Sequence, residues 1–182
     1  MTDDALREEL QETRVAWQGR LLTVHVDTVR LPDGHVSTRE VIAHPGAVAM
    51  VPIDADGCVL LVRQWRHAAG QALLEIPAGT LEAGEEPAAC AARELMEEIG
   101  YRPGLLTPLH AIFLAPGYST ERLHLFVAEA LTPERLAHDA DERIEVVRLS
   151  WADVDARLAS GGFVDAKSVA GLCLARQFLQ QR

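Results

Sequence analysis

The chain has 182 residues, 48% of them hydrophobic, and a formal net charge of −10. That is enough apolar sequence for one full core plus an elaboration. The acidic balance, with Lys167 the only lysine, argues against broad contact with a nucleic-acid backbone, although a small phosphorylated ligand needs only local positive charge.

No apolar run approaches the ~20 residues needed to span a bilayer. The start of the chain lacks a basic segment followed by an apolar block, so no secretory signal is read there. The expectation is a cytoplasmic protein with neither membrane nor nucleic-acid partners. Cys58, Cys90 and Cys173 are far apart and embedded in apolar sequence, and read as buried reduced thiols instead of zinc ligands or disulfides. His67 and His124 sit near residues of interest, but single histidines of this kind are usually surface or hydrogen-bonded residues.

Residues 1–12 are polar and acidic and predict a frayed or short helical start. From Thr13 to Ala43 the pattern is a small antiparallel sheet: "LLTVHVDTVRL" alternates, "PDGH" is a turn, and "STREVIAH" returns. Pro45-Gly46 then breaks the pattern. "AVAMVPID" and "CVLLVRQWR" flank "DADG", a second hairpin signal, and "ALLEIPAG" is a short strand running into a loop. "LHAIFLAPG" and "ERLHLFVAEAL" are strands joined by a Pro-Gly loop, and "IEVVRLSW" is another strand. Two helices close the chain. "WADVDARLAS" has Ser150 as N-cap and Gly161 as stop, and "AKSVAGLCLARQFLQQ" follows. Strands mixed with three helices point to an α+β or α/β sandwich. The division expected is 1–45 for the N-terminal sheet and 46–182 for the main domain. That sheet is too small to stand alone and must pack on the main domain or on a partner chain.

The first of the three helices poses a physical question. Pro87 suits its first turn and Gly100 its left-handed stop. At 100° per residue Ala88, Ala92, Leu95 and Ile99 form an apolar stripe, Glu94, Glu97 and Glu98 share an arc on the other side, and Arg93 lies on the far flank. Like charges four apart repel, and carboxylates in the last turn meet the negative end of the helix dipole, each effect costing a few tenths of a kcal/mol to about 1 kcal/mol. A solvated acidic face would be the plain explanation. A hard divalent cation, which binds carboxylate and carbonyl oxygens, would remove the repulsion.

The stretch resembles the Nudix box, Gly-x5-Glu-x7-Arg-Glu-U-x-Glu-Glu-x-Gly-U with U a bulky aliphatic residue. The matching residues are Gly79, Glu85, Arg93, Glu94, Leu95, Glu97, Glu98 and Gly100, with Tyr101 departing from the last position. The rest of the chain from Leu21 to Trp151 is similar to the ADP-ribose pyrophosphatase branch of that family. Pro116, sixteen residues after Gly100, matches the proline of that branch, and "STREVIAHPGAVAMV" and "VRQWRHA" match its strands. The resemblance implies an α/β/α sandwich of Nudix type with a small N-terminal antiparallel sheet. It also implies Mg²⁺- or Mn²⁺-dependent hydrolysis of the pyrophosphate of ADP-ribose, or of a related nucleoside diphosphate sugar, by a homodimer.

By the same resemblance Glu94 and Glu98 are the principal metal ligands, Glu97 supports a second or third ion, and the Ala78 carbonyl is a further ligand. Arg93 belongs to the catalytic box, where it pairs with Glu85 to fix loop against helix. The general base is Glu142 in the acidic "DADERIEVV" segment, with Glu145 its competitor within that segment and Glu97 the alternative base on the helix. Substrate contacts are Arg66 on a phosphate, Arg63 where strand alternation permits, Glu40 on the adenine amino group, Leu21 on the base, Glu82 near the metals or terminal ribose, and Pro116. The N-terminal sheet is expected to reach the partner's site. Other readings are the same fold acting on GDP-mannose or a dinucleotide, and a nucleotide sensor that does not cleave. The last is disfavoured because no box glutamate is missing.

Overall fold

A computed structural model describes residues 3–137 and 143–182. The chain divides into two units: Met1–Gly46 with Phe113–Arg122, and Ala47–Ile112 with Leu123–Arg182.

The first unit is built on the antiparallel sheet β1 (Glu9–Gln18), β2 (Thr23–Arg30) and β3 (Val36–Ala43), in that order. The helical or frayed start expected for residues 1–12 is half right. A single 3-10 turn covers Asp3–Ala5, but β1 begins at Glu9. Cross-strand pairing from Glu9↔Arg30 onward recruits polar residues whose own propensity would not announce a strand. The 31–35 turn closes as expected, with Gly34 at φ 86° and the Leu31 N–H donating to His35 O at 2.8 Å. β1 is exposed along all ten residues, including Leu10, Val15 and Trp17. At its other edge the sheet is closed by the 113–122 segment, where Ile42 N–H donates to Tyr118 O at 2.7 Å.

The second unit contains β4 (Ala47–Pro52), β5 (Val59–Arg66), β6 (Gln71–Glu75), β7 (Ala78–Thr80), α1 (Pro87–Glu98), β8 (Tyr101–Arg102), β9 (Leu105–Phe113), β10 (Arg122–Glu129), β11 (Thr132–Pro133), β12 (Ile144–Leu149), α2 (Trp151–Ser160) and α3 (Ala166–Gln180). One sheet runs β7-β4-β10-β9, another β12-β5-β6, and β8 pairs with β11. The hairpin expected between β4 and β5 does not form as a ladder. The turn is present, with Gly57 at φ 78° and the Asp54 carboxylate accepting the Asp56 and Cys58 N–H groups. Beyond one bridge, Ile53↔Val59, the strands part into different sheets. β4 instead pairs parallel to β10 and antiparallel to β7. Every residue of β4 is buried, as a central strand covered on both faces must be.

The core beneath α1 joins Val48, Met50, Leu60, Val62, Cys90, Ala91, Leu95, Ile99 and Phe126. The stripe read from the sequence is therefore rotated. Ala88 is exposed, and Cys90, Ala91, Met96 and Glu98 take the buried positions beside Leu95. Of the three thiols only Cys90 is buried; Cys58 is half-buried and Cys173 exposed. α2 has the expected ends, with Ser150 Oγ accepting Asp153 N–H and Gly161 at φ 73°. α3 lies close over the sheet because residue 171 is glycine: a Cβ there would stand 2.6 Å from Ile76 Cδ1.

Candidate active site

The box residues tie β7, the following loop and α1 together through hydrogen bonds of Arg93 and of Glu98. α1 starts at Pro87 and gives way to Gly100 at φ 76°, so Arg93, Glu94, Glu97 and Glu98 sit in its last two turns. Arg93 is the hub. Its Nε and Nη2 donate to the two oxygens of Glu85, each at 3.0 Å. Its Nη1 donates to Glu94 Oε1 at 2.8 Å and Glu97 Oε2 at 2.9 Å, and Nη2 also to Cys90 Sγ at 3.3 Å. A guanidinium has five N–H groups, and these five contacts use them all.

Arg93 is thus not on a far flank. It sits four residues before Glu97 and is the internal counter-ion of two of the crowded glutamates. The hydrogen bond from Arg93 pulls the Glu85 carboxyl from its ordinary value near 4.5 to about 2, against the opposing effect of burial. The same bond raises Arg93 itself. Burial, followed by the Glu85 contact, pushes the Cys90 thiol up to about 12, which keeps it protonated and inert.

Glu98 is resolved differently. It is only 3% exposed, and its Oε2 accepts the Ala78 N–H at 3.1 Å. Ala78 therefore meets Glu98 through its amide nitrogen. Glu94 occupies space that only glycine can leave: a Cβ on Gly79 would lie 1.9 Å from Glu94 Cδ. Among the described residues no three His, Cys, Asp or Glu side chains are gathered as a metal cage. The donor chemistry nevertheless fits a hard cation. Four carboxylates against one guanidinium leave the box anionic, and the oxygens of Glu94, Glu97 and Glu98 rise from adjacent turns of one helix.

The other expected residues are distributed unevenly. Arg66, at the end of β5, donates from Nε to Glu75 Oε2 at 2.8 Å and is 39% exposed. Arg63, three positions earlier and so on the opposite face, is exposed and pairs loosely with Glu145 of β12 at 3.6 Å. Those two residues line an open cleft with Trp65 and Arg143. Glu82 is exposed in the loop before α1, and its N–H donates to Glu85 Oε2 at 3.0 Å. Glu40 (exposed on β3), Leu21 (in the β1–β2 connection, 50% exposed) and Pro116 (exposed in the 113–122 segment) belong to the first unit. Glu142 lies outside the described residues.

Sequence reasoning passed over Glu75, which is 2% exposed at the end of β6. A carboxylate inside the apolar run "ALLEIPAG" was the available signal, since a buried charge needs partners.

Fold and box together define a Nudix-type hydrolase scaffold. The chain belongs to the Nudix family: the NUDIX domain matches residues 43–172, and the nucleoside diphosphate sugar hydrolase N-terminal domain matches residues 8–42. It is 37% identical over 179 residues to an ADP-ribose pyrophosphatase of Bacillus subtilis (strain 168), covering 95% of each chain. It is 35% identical over 175 residues to a methanol dehydrogenase activator of Bacillus methanolicus, covering 95% of this chain and 92% of that one. A crystal structure of an ADP compounds hydrolase superposes with a TM-score of 0.88 at 29% identity, covering 97% of this chain and 96% of that one.

Proposed function

We propose that the chain hydrolyses the pyrophosphate bond of ADP-ribose to AMP and ribose 5-phosphate, or that of a related nucleoside diphosphate sugar to the corresponding nucleoside monophosphate and sugar phosphate. The observation that carries this reading is the placement of the box glutamates, with Glu85, Glu94 and Glu97 held by Arg93 and Glu98 held by the Ala78 N–H. The similarity to ADP-ribose and ADP-compound hydrolases along nearly the whole chain supports the substrate class. GDP-mannose and dinucleotides are the competing substrates.

Glu94, Glu98 and Glu97, with the Ala78 carbonyl, would hold two or three Mg²⁺ or Mn²⁺ ions. Such ions supply neutralisation of the pyrophosphate and a bound water of lowered pKa. Binding them asks Glu94 and Glu97 to share their oxygens between Arg93 and the metal, and Arg93 keeps both side chains pointed to one place. Glu142 would take the proton of the attacking water, because Glu97 already has an oxygen committed to Arg93. Arg66 would bind a phosphate oxygen and Glu82 would be a further contact; Arg63, on the opposite face of β5, would not share the Arg66 contact.

The N-terminal unit would form the homodimer and bring Glu40 and Leu21 to the adenine of the partner's substrate. The fully exposed β1, with Leu10, Val15 and Trp17 outward, supports a second copy as the cover of that surface. Among the described residues no helix is long and apolar enough to cross a membrane. Free cysteines suit the cytoplasm as the place of action.

The test is product analysis. With Mg²⁺ or Mn²⁺, chromatography of an ADP-ribose digest should show AMP and ribose 5-phosphate. ADP with free ribose would mean attack at the glycosidic carbon and would overturn the reading. A panel including GDP-mannose and dinucleotides ranks the substrates.

A further inference from the structure

Glu75 is buried at the end of β6, and its two oxygens are divided between two cations. Oε2 accepts from Arg66, Nε at 2.8 Å and Nη2 at 2.7 Å, while Oε1 pairs with the Lys167 ammonium at 3.0 Å. Lys167 is the only lysine of the chain and is 13% exposed. It is held in turn by Asp165 Oδ1 at 2.9 Å, the same oxygen that caps α3 by accepting Ser168 N–H at 3.0 Å. Asp165 Oδ2 is buried with no hydrogen-bond partner among the described residues, so the ammonium is the chief compensation of that carboxylate there. One residue further on in each case, just past β6 and within α3, Ser168 Oγ accepts the Ile76 N–H at 2.9 Å. The start of α3 is therefore stitched to the end of β6 at two successive positions.

We propose that Glu75 is the positioning residue for Arg66, and that Lys167, braced by Asp165, keeps Glu75 from following the arginine. The inference rests on the phosphate role given to Arg66 above. A guanidinium presents two forked edges to acceptors. Glu75 takes the Nε/Nη2 edge, which leaves Nη1 and the second Nη2 hydrogen as a fork matched to two oxygens of a phosphate. A carboxylate bonded to Arg66 alone could swing with it. One that is also bonded to Lys167 and packed to 2% exposure cannot. Charge is balanced within the quartet of Arg66, Lys167, Glu75 and Asp165, so its contribution is direction, not added positive potential.

The experiment is a double-mutant cycle on the full-length protein, using whichever nucleoside diphosphate sugar the wild type cleaves. Glu75→Gln should raise KM about tenfold with kcat within about threefold, Arg66→Ala should raise KM at least as much, and the double variant should be no worse than Arg66→Ala. Wild-type KM in a folded Glu75→Gln protein, or KM effects that multiply in the double variant, would overturn the proposal. Lys167→Met covers the case in which Glu75→Gln does not fold. It should raise KM about threefold, and that increase should vanish in the Arg66→Ala background; persistence there would refute the brace. Wild-type KM in Arg66→Ala would remove the phosphate role and the positioning proposal with it, while product identity tests the hydrolase reading separately.

Discussion

Gly79 and Glu94 occupy one space: a Cβ on the glycine would stand 1.9 Å from the glutamate's Cδ and 2.0 Å from its Oε1. Gly79 is not among the glycines with positive φ, so the backbone would tolerate another residue there. The box glycine is required by room for a carboxylate. Gly79→Ala should therefore fold, because Glu94 is a long side chain that can swing away, yet lose about tenfold or more in kcat as that carboxylate leaves its place. A crystal structure of the variant should show Glu94 displaced. An alanine variant with unchanged turnover would separate the steric fit from catalysis.

The glutamates should differ in what their loss does. Glu98→Gln and Glu94→Gln each keep the shape and remove a negative charge. Each should cut the rate by about 10²-fold, the scale of losing one positioned electrostatic group, and should weaken Mg²⁺ or Mn²⁺ binding measured by calorimetry. Because Glu98 also holds the Ala78 N–H, its variant should keep most of its stability, the amide oxygen still being an acceptor. Substantial activity in the double variant would sink the metal assignment.

Arg93 spends all five N–H groups on Glu85, Glu94, Glu97 and Cys90. Lysine has three donors and no fork. Arg93→Lys should not rescue, and Arg93→Met should cost about 3 kcal/mol in urea unfolding, the range for breaking a largely buried pair. The sign of the pH dependence follows from Glu85. Its folded value is depressed from 4.5 to about 2, so the stability it contributes is complete above pH 4.5 and is lost as pH falls towards 2. The difference between wild type and Arg93→Met should shrink over that window. A constant difference would place the cost in packing instead of charge.

How much of this could be read beforehand depends on the range of the interaction. The ends of α1 and α2 were legible because Pro87, Gly100, Ser150 and Gly161 act within a turn of their own position. The box was legible because its spacing is fixed along one helix and one loop. Arg93 as counter-ion to Glu97 is within reach of an i,i+4 reading, but its simultaneous reach to Glu94 and to Glu85 in the loop is a matter of side-chain direction that helical spacing does not specify. The separation of β4 from β5 was not legible, since the 54–57 turn fixes one bridge and the parallel partner of β4 lies more than seventy residues away. Glu75 and Lys167 meet across a comparable gap, so only the oddity of a charge in an apolar strand hinted at them.

Gly171 offers a test of packing that avoids the site. Alanine there gains up to about 1 kcal/mol of helix propensity but puts a methyl 2.6 Å from Ile76 Cδ1, an overpacking that costs about 1–3 kcal/mol. The second effect should win, lowering stability by about 1 kcal/mol. Adding Ile76→Val removes the offending methyl and should return the helix-propensity gain. If Gly171→Ala is stabilising by itself, α3 has slack over the sheet that the packing denies.

The N-terminal sheet leads to an expectation about assembly. With β1 exposed over its whole length, the protein should run at twice the chain mass in light scattering at micromolar concentration. Trp17→Arg, a charge placed on that surface, should shift it to monomer and lower activity together. A monomeric wild type with full activity would remove both the dimer and the contact assigned to Glu40 of the partner subunit.

The last expectation separates two candidates for the base. If Glu142 deprotonates the attacking water, Glu142→Gln should lower kcat by about 10²–10⁴ with KM changed far less. Its metal affinity should stay near wild type, because Glu94 and Glu98 remain. Raising the pH should restore part of the rate, since hydroxide replaces an assisted water. Glu97→Gln should behave differently: its Oε2 is a partner of Arg93, so the variant should lose stability and metal binding together. Glu145→Gln should be mild, the side chain being two-thirds exposed beside Arg63. Should Glu142→Gln turn over normally while Glu97→Gln keeps its metal and loses its rate, the base sits on α1, and the acidic segment before β12 has no part in the proton transfer.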